Sequence, residues 1–179
     1  MNSVFQFQQY YCPKVEYFMR ADEDSVLDVS RFRYWLDEEI NTIGKILNDM
    51  AIFGYVIRKN FAFSKNKVDR SDLRKWEYIH GSSYMSSTAV KAILEEAKNH
   101  FYSNFNDIFY TGFIAEAAGI TIIDTKKHFG IANLLTVPEC DKSGRPFLFC
   151  ISNVNDESEA KLGGFDKAFE DLKSLKCPK

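Results

Sequence analysis

Apolar residues at three-to-four-residue spacing (Phe32, Trp35, Leu36, Ile40, Ile43 and Leu47) give way almost at once to the apolar run Ile52 to Ile57. The first pattern makes one stripe along a helix, and the second has strand composition. A chain that changes period this way lays helices against a sheet, so the expected class is α/β. Ser30 is the expected N-cap of a helix over Arg31 to Leu47. Further on, Ser87 or Thr88 should cap a helix through Ala97, with Val90, Ile93 and Leu94 facing inward. Another helix is expected from Ile108 to Ala118, stopping at Gly119. Thr121 to Ile123 and Phe147 to Ile151 read as short strands, and Asp166 to Leu175 as a closing amphipathic helix. The polar, basic segment Arg58 to Lys75 is a long connection, of the kind more often functional than idle. The chain has no internal repeat and no low-complexity tract.

With 179 residues, 45% of them hydrophobic and 15% aromatic, the chain can bury one core, so a single domain over 1–179 is expected. A net charge of -2 and a pI near 5.9 argue against general nucleic-acid binding. The basic residues from Lys59 to Lys75 read as a solvated loop. No apolar stretch approaches a membrane span, and the N-terminus has neither a charged lead nor a long apolar core. Neither a signal peptide nor a membrane anchor is therefore expected. The four cysteines Cys12, Cys140, Cys150 and Cys177 lack zinc-knuckle spacing. They could form up to two disulfides, in any of three full pairings, or stay reduced.

Three segments carry chemistry. The triplet Asp22-Glu23-Asp24 follows the strand-like run Val15-Glu16-Tyr17-Phe18-Met19, so it should lie where a buried strand opens into a loop. Asp22 and Asp24 then project to one side, and crowded carboxylates repel unless a cation lies between them or one keeps its proton. Oxygen donors of this kind suit Mn2+ or Mg2+, which would in turn hold a phosphate; the plainer alternative is a solvated acidic loop. The second segment, Lys75 to Ser87, places small residues between aromatics. It could hold a sugar between ring faces and hydroxyl donors, or be a turn between core aromatics. In the third, Asn106-Asp107-Ile108-Phe109-Tyr110-Thr111-Gly112, an acid begins a helix. Asp107 is there a cap or, in a cleft, a general base for an attacking hydroxyl.

In order and approximate spacing, these segments resemble the β-1,3-galactosyltransferase-like family (glycosyltransferase family 31), particularly its nematode-type members. Cys12 to Phe32, containing Tyr-Phe-Met-Arg-Ala-Asp22-Glu23-Asp24, is similar to the family's "C…ΦΦK-x-D-D-D-x-F-V-N-x-x-x-L" block with its DxD motif. Tyr78-Ile79-His80-Gly81-Ser82-Ser83-Tyr84-Met85-Ser86-Ser87 is similar to "Y-C-S-G-x-x-Y-ΦΦ-S". Asn106 to Gly112, continuing to Ala118-Gly119-Ile120, is similar to "E-D-V-Φ-x-T/V-G…K-x-G-I".

The resemblance implies a partial GT-A-like fold, a mixed sheet flanked by helices, that lacks the N-terminal part of the usual nucleotide-binding half. It implies metal-dependent, inverting transfer of galactose or N-acetylhexosamine from a UDP-sugar donor to a glycan acceptor, in the Golgi lumen. Membrane attachment would come only through an anchor absent from this chain. Mn2+ (or Mg2+) would bind at Asp22 and Asp24, with Asp24 the direct ligand, and Asp107 would be the catalytic base. Asp22, Glu23, Trp76, Tyr78, Gly81, Ser82, Ser83 and Tyr84 would bind the donor or line its subsite. Asn106 departs from the pattern by replacing the acid before Asp107, and the stretch between Trp76 and Tyr78 is short. No late metal-binding histidine is evident, His128 being the substitute candidate. The alternatives are a non-catalytic remnant or partner-binding module of the same fold and, more remotely, a hydrolase using His80 with Asp107.

Overall fold

Helices and strands follow one another as α1 (Asn2–Tyr11), β1 (Tyr17–Arg20), β2 (Ser25–Leu27), α2 (Val29–Trp35), a π-helical turn (Leu36–Ile40), α3 (Asn41–Ile46), β3 (Ala51–Ile57), β4 (Tyr78–Ser86), α4 (Ser87–Ala97), a second π-helical stretch (Ile108–Ile114), α5 (Ala115–Ala117), β5 (Thr121–Asp124), β6 (Phe129–Ile131) and β7 (Phe149–Ile151). This computed structural model describes residues 1–22, 25–58, 76–101, 106–126, 129–131, 140 and 149–151, with 166, 169, 170, 173 and 174, all helical, near the end. The chain divides into two compact units, residues 1–20 with 44–124, and residues 21–43 with 125–179.

The first unit is built on a four-stranded sheet in the order β1-β4-β3-β5. β4 runs antiparallel to both β1 and β3, whereas β3 and β5 are parallel, so the sheet is mixed. Alternation along the strands sorts their side chains by face. Ile52 lies opposite Met85 and Val56 opposite Ile79, and all four join one core with Phe5, Val90, Ile93, Phe109 and Ile114 from the helices. Phe53 and Tyr84, also cross-strand partners, belong to the other face, where their rings stack with centroids 5.2 Å apart. Helix α4 starts at an N-cap of Ser86, whose hydroxyl accepts the Ala89 N–H at 2.9 Å. The expected caps, Ser87 and Thr88, are thus corrected by one position, because Ser86 also donates to the Asp49 carbonyl while the Ser87 hydroxyl accepts from Gln8.

Helix α1 has no counterpart in the sequence reading, because only Phe5 and Gln8 of it are buried. Phe5 meets Phe18 and Tyr110 edge-on, each with centroids 5.7 Å apart. Gln8 ties α1 to α4 through the Ser87 hydroxyl at 2.8 Å, and Gln9 adds the Ser87 carbonyl at 3.0 Å. The helix expected from Ile108 to Ala118 is present, but it is π-helical as far as Ile114. It ends as expected at Gly119, with φ +70°.

The second unit holds a three-stranded sheet in the order β2-β7-β6, with β2 antiparallel and β6 parallel to β7. Helix α2 and the π turn after it belong to this unit as well. That run is helical as expected, but its N-cap is Asp28 and not Ser30. The Asp28 carboxylate accepts the Ser30 N–H at 2.9 Å and pairs with Arg31 at 3.4 Å. Burial opposes charge on Asp28, yet the hydrogen bonds from Ser30 and the nearby Arg31 outweigh it and hold the carboxyl below its ordinary value. The π turn places Trp35 and Ile40, both buried, five positions apart, a spacing that the wider coil brings into line.

Cys12 is a free, exposed thiol and Cys140 is disulfide-bonded, which excludes a two-disulfide arrangement. The basic connection at 59–75 and His128 lie outside the described residues. No helix among the described residues is long and apolar enough to cross a membrane.

Candidate functional site

The shortness of β1 shapes the site. Its last residue, Arg20, lies opposite Ser83, so β4 continues from Gly81 back to Tyr78 with no strand on that edge among the described residues. Ile79 and Gly81, two positions apart, turn their peptide groups toward the same edge. Buried backbone groups left without partners cost free energy comparable to a lost hydrogen bond. Side chains of the segment around Asp107 take the missing strand's place. The Thr111 hydroxyl accepts the Ile79 N–H at 2.9 Å, and its own proton can go to the Ile79 carbonyl at 3.1 Å or the Asp107 carbonyl at 2.7 Å. Asp107 Oδ2 accepts the Gly81 N–H at 3.3 Å. Arg20 Nη1 donates to the Gly81 carbonyl at 3.1 Å and to Asp107 Oδ1 at 2.6 Å.

The fit is geometric. Residues four apart on a helical segment lie on one face, and residues two apart on a strand turn their peptide groups to one edge. Asp107 and Thr111 can therefore serve Gly81 and Ile79 in turn. Gly112 lets the two elements approach: a Cβ there would meet the Glu77 carbonyl at 3.0 Å and Tyr78 Cβ at 3.1 Å. Gly81 itself sits at φ +69°, a conformation suited to glycine, at a bulge where the pairing with β3 jumps from Gly54–Ser83 to Tyr55–His80. The alternative reading of Asp107 as a helix cap is corrected here. It already has right-handed helical geometry and makes no side-chain cap bond, because its carboxylate is spent on Arg20 and Gly81. The alternative of a turn for the glycine-serine segment is likewise corrected, since Tyr78–Ser86 is a strand.

His80 stands at the rim of this cluster, its side chain half exposed, with Nδ1 3.9 Å from Asp107 Oδ2. Of the other residues expected to line a donor site, Trp76 and Tyr78 are partly buried, and the Trp76 ring lies against Phe113, centroids 5.1 Å apart. Ser82, Ser83 and Tyr84 are buried. The Ser83 hydroxyl has no hydrogen-bond partner among the described residues. Asp22 follows β1 and is partly buried, its carbonyl accepting the Ser25 N–H at 3.0 Å across the acidic triplet. Glu23 and Asp24 lie outside the described residues. Among those that are described, no group of three or more His, Cys, Asp or Glu is placed to hold a metal ion.

The structure thus brings Gly81, His80 and Asp107 together, and adds two residues that the sequence reading did not single out. Arg20 was visible as a charge closing an apolar strand, and Thr111 as a hydroxyl four positions after Asp107.

No curated protein matches the chain. The family model described as galactosyltransferase matches residues 1–126, which include the acidic triplet, the β4 strand and the Asp107 segment. The mixed α/β architecture, a four-stranded sheet flanked by helices, is consistent with part of a GT-A-like fold. On that match, which covers well over half of its length, the chain belongs to the galactosyltransferase family.

Proposed function

We propose that the protein is an inverting, metal-dependent hexosyltransferase. It moves galactose or N-acetylhexosamine from a UDP-sugar to a hydroxyl of a glycan acceptor, in the Golgi lumen. The observation that carries this reading is a carboxylate, Asp107, fixed at two points beside a half-exposed histidine on a glycine bulge. An inverting displacement needs a base that takes the acceptor proton as the oxygen attacks the anomeric carbon, and Asp107 is assigned that role. The fixed carboxylate limits the positions from which an acceptor hydroxyl can approach, which favours a productive geometry over a random one. Trp76, Tyr78 and the stretch Gly81 to Tyr84 are assigned to the donor side, with Asp22 and Glu23.

The carboxylates of Asp22 and Asp24 would hold Mn2+ or Mg2+, since hard divalent ions take oxygen donors. When bound, the ion supplies Lewis-acid neutralisation of the UDP leaving group.

A non-catalytic binding module is the second reading. It is favoured by the same pair of contacts, since both oxygens of Asp107 already have protein partners. Thermal unfolding with UDP and Mn2+ separates the two, because a ligand that binds only the folded state must raise the melting temperature. The transferase reading expects a rise in Tm at millimolar UDP with Mn2+. An unchanged Tm puts the binding module ahead.

A further inference from the structure

We propose that Arg20, the last residue of β1, is a positioning residue that holds the Asp107 carboxylate against the Gly81 N–H. This inference deepens the transferase reading and, for its effect on turnover, rests on it. Arg20 Nη1 carries two protons, and the structure assigns one to the Gly81 carbonyl and the other to Asp107 Oδ1. One nitrogen therefore bridges the strand and the helical segment. The ion pair is about four-fifths shielded on both sides, with side-chain exposures of 23% and 22%. A charge-assisted bond in that setting is stronger and more directional than one on an open surface.

The consequence is an orientation. With Oδ1 drawn to Arg20, Oδ2 is left facing the Gly81 N–H, at 3.3 Å, and His80, at 3.9 Å. Without Arg20, the Gly81 carbonyl loses its partner and the carboxylate can rotate away from the bulge. A displaced catalytic group costs rate more than affinity, because the acceptor hydroxyl, and not the bound donor, senses the error.

Two measurements on the full chain test this. The first follows the Gly81 amide resonance of 15N-labelled protein, with Asp107→Ala as the reference for an N–H that has lost its acceptor. Arg20→Met should move the Gly81 resonance toward that reference while distant amides stay in place, and Arg20→Lys, which keeps a charged donor, should hold it near the wild-type position. A Gly81 resonance in Arg20→Met that coincides with the wild type overturns the proposal. Should Arg20→Met fail to fold, Arg20→Gln, which removes the charge but keeps a polar side chain, takes its place, and a Gly81 resonance at the wild-type position in that variant overturns the proposal.

The second measures transfer from UDP-galactose with Mn2+. Arg20→Met should lower kcat by about tenfold or more at a donor KM near the wild-type value, with partial recovery in Arg20→Lys. A change confined to KM overturns the positioning role. A wild-type chain that transfers nothing, yet shows the Gly81 shifts, refutes the transferase reading and leaves Arg20 as the residue that seats Asp107.

Discussion

At the scale of single residues, charge and hydrogen bonding decide more than propensity. Asp107→Asn keeps an oxygen for the Gly81 N–H but removes the negative charge facing Arg20. Transfer should fall by about a hundredfold or more, in the range expected for loss of a general base, with UDP affinity unchanged by isothermal calorimetry. Asp28 offers a pH test. Its carboxyl is held below the ordinary value of 3.8, so its contribution to stability is complete above that value and is lost as pH falls through the folded-state value. In acid titrations of unfolding free energy, Asp28→Asn should flatten the slope below about pH 4. What the sequence disclosed of the site follows the same division. Asp107 and Gly81 announce themselves by chemistry, an acid at a helix start and a glycine before a pair of serines. Arg20 and Thr111 matter only because β1 stops short of them, which is a fact of pairing between distant segments.

Among the elements, those whose periodicity matches their burial were legible. The run from Val29 to Ile46, the strand at Ala51–Ile57, and helix α4 emerge from the spacing of their apolar residues. Helix α1 was hidden because its stripe is nearly a single side chain, and β2 and β6, three residues each, are too short to show alternation. The weight on that one ring in α1 is testable. Phe5 is fully buried between β1 and Tyr110, so Phe5→Ala should cost about 3–5 kcal/mol in chemical denaturation. Ser86 caps α4 and also fastens the turn before β3 through the Asp49 carbonyl. Ser86→Ala should therefore cost at least the ~1 kcal/mol typical of an N-cap, with the excess reporting the second bond. An effect below that value would mean the Asp49 contact adds nothing.

For the molecule as a whole, the class was readable from changing periods, but the mixed sheet was not. Whether β5 runs parallel to β3 depends on the path the chain takes between them, and no local pattern records that. The same holds for the division into two units, which separates Ala21 to Ile43 from its neighbours in sequence and groups it with residues 125–179. The edge of β4 that β1 leaves bare, and that Asp107, Thr111 and Arg20 close, has a consequence for solubility. A strand sealed by side chains alone can be unsealed by two substitutions, and its peptide groups then become a template for a foreign strand. The double variant Asp107→Ala/Thr111→Val, watched by light scattering at rising concentration, should self-associate where the parent protein stays dispersed. Guarding a bare edge and seating a reactive carboxylate would then be two tasks of one short stretch of helix.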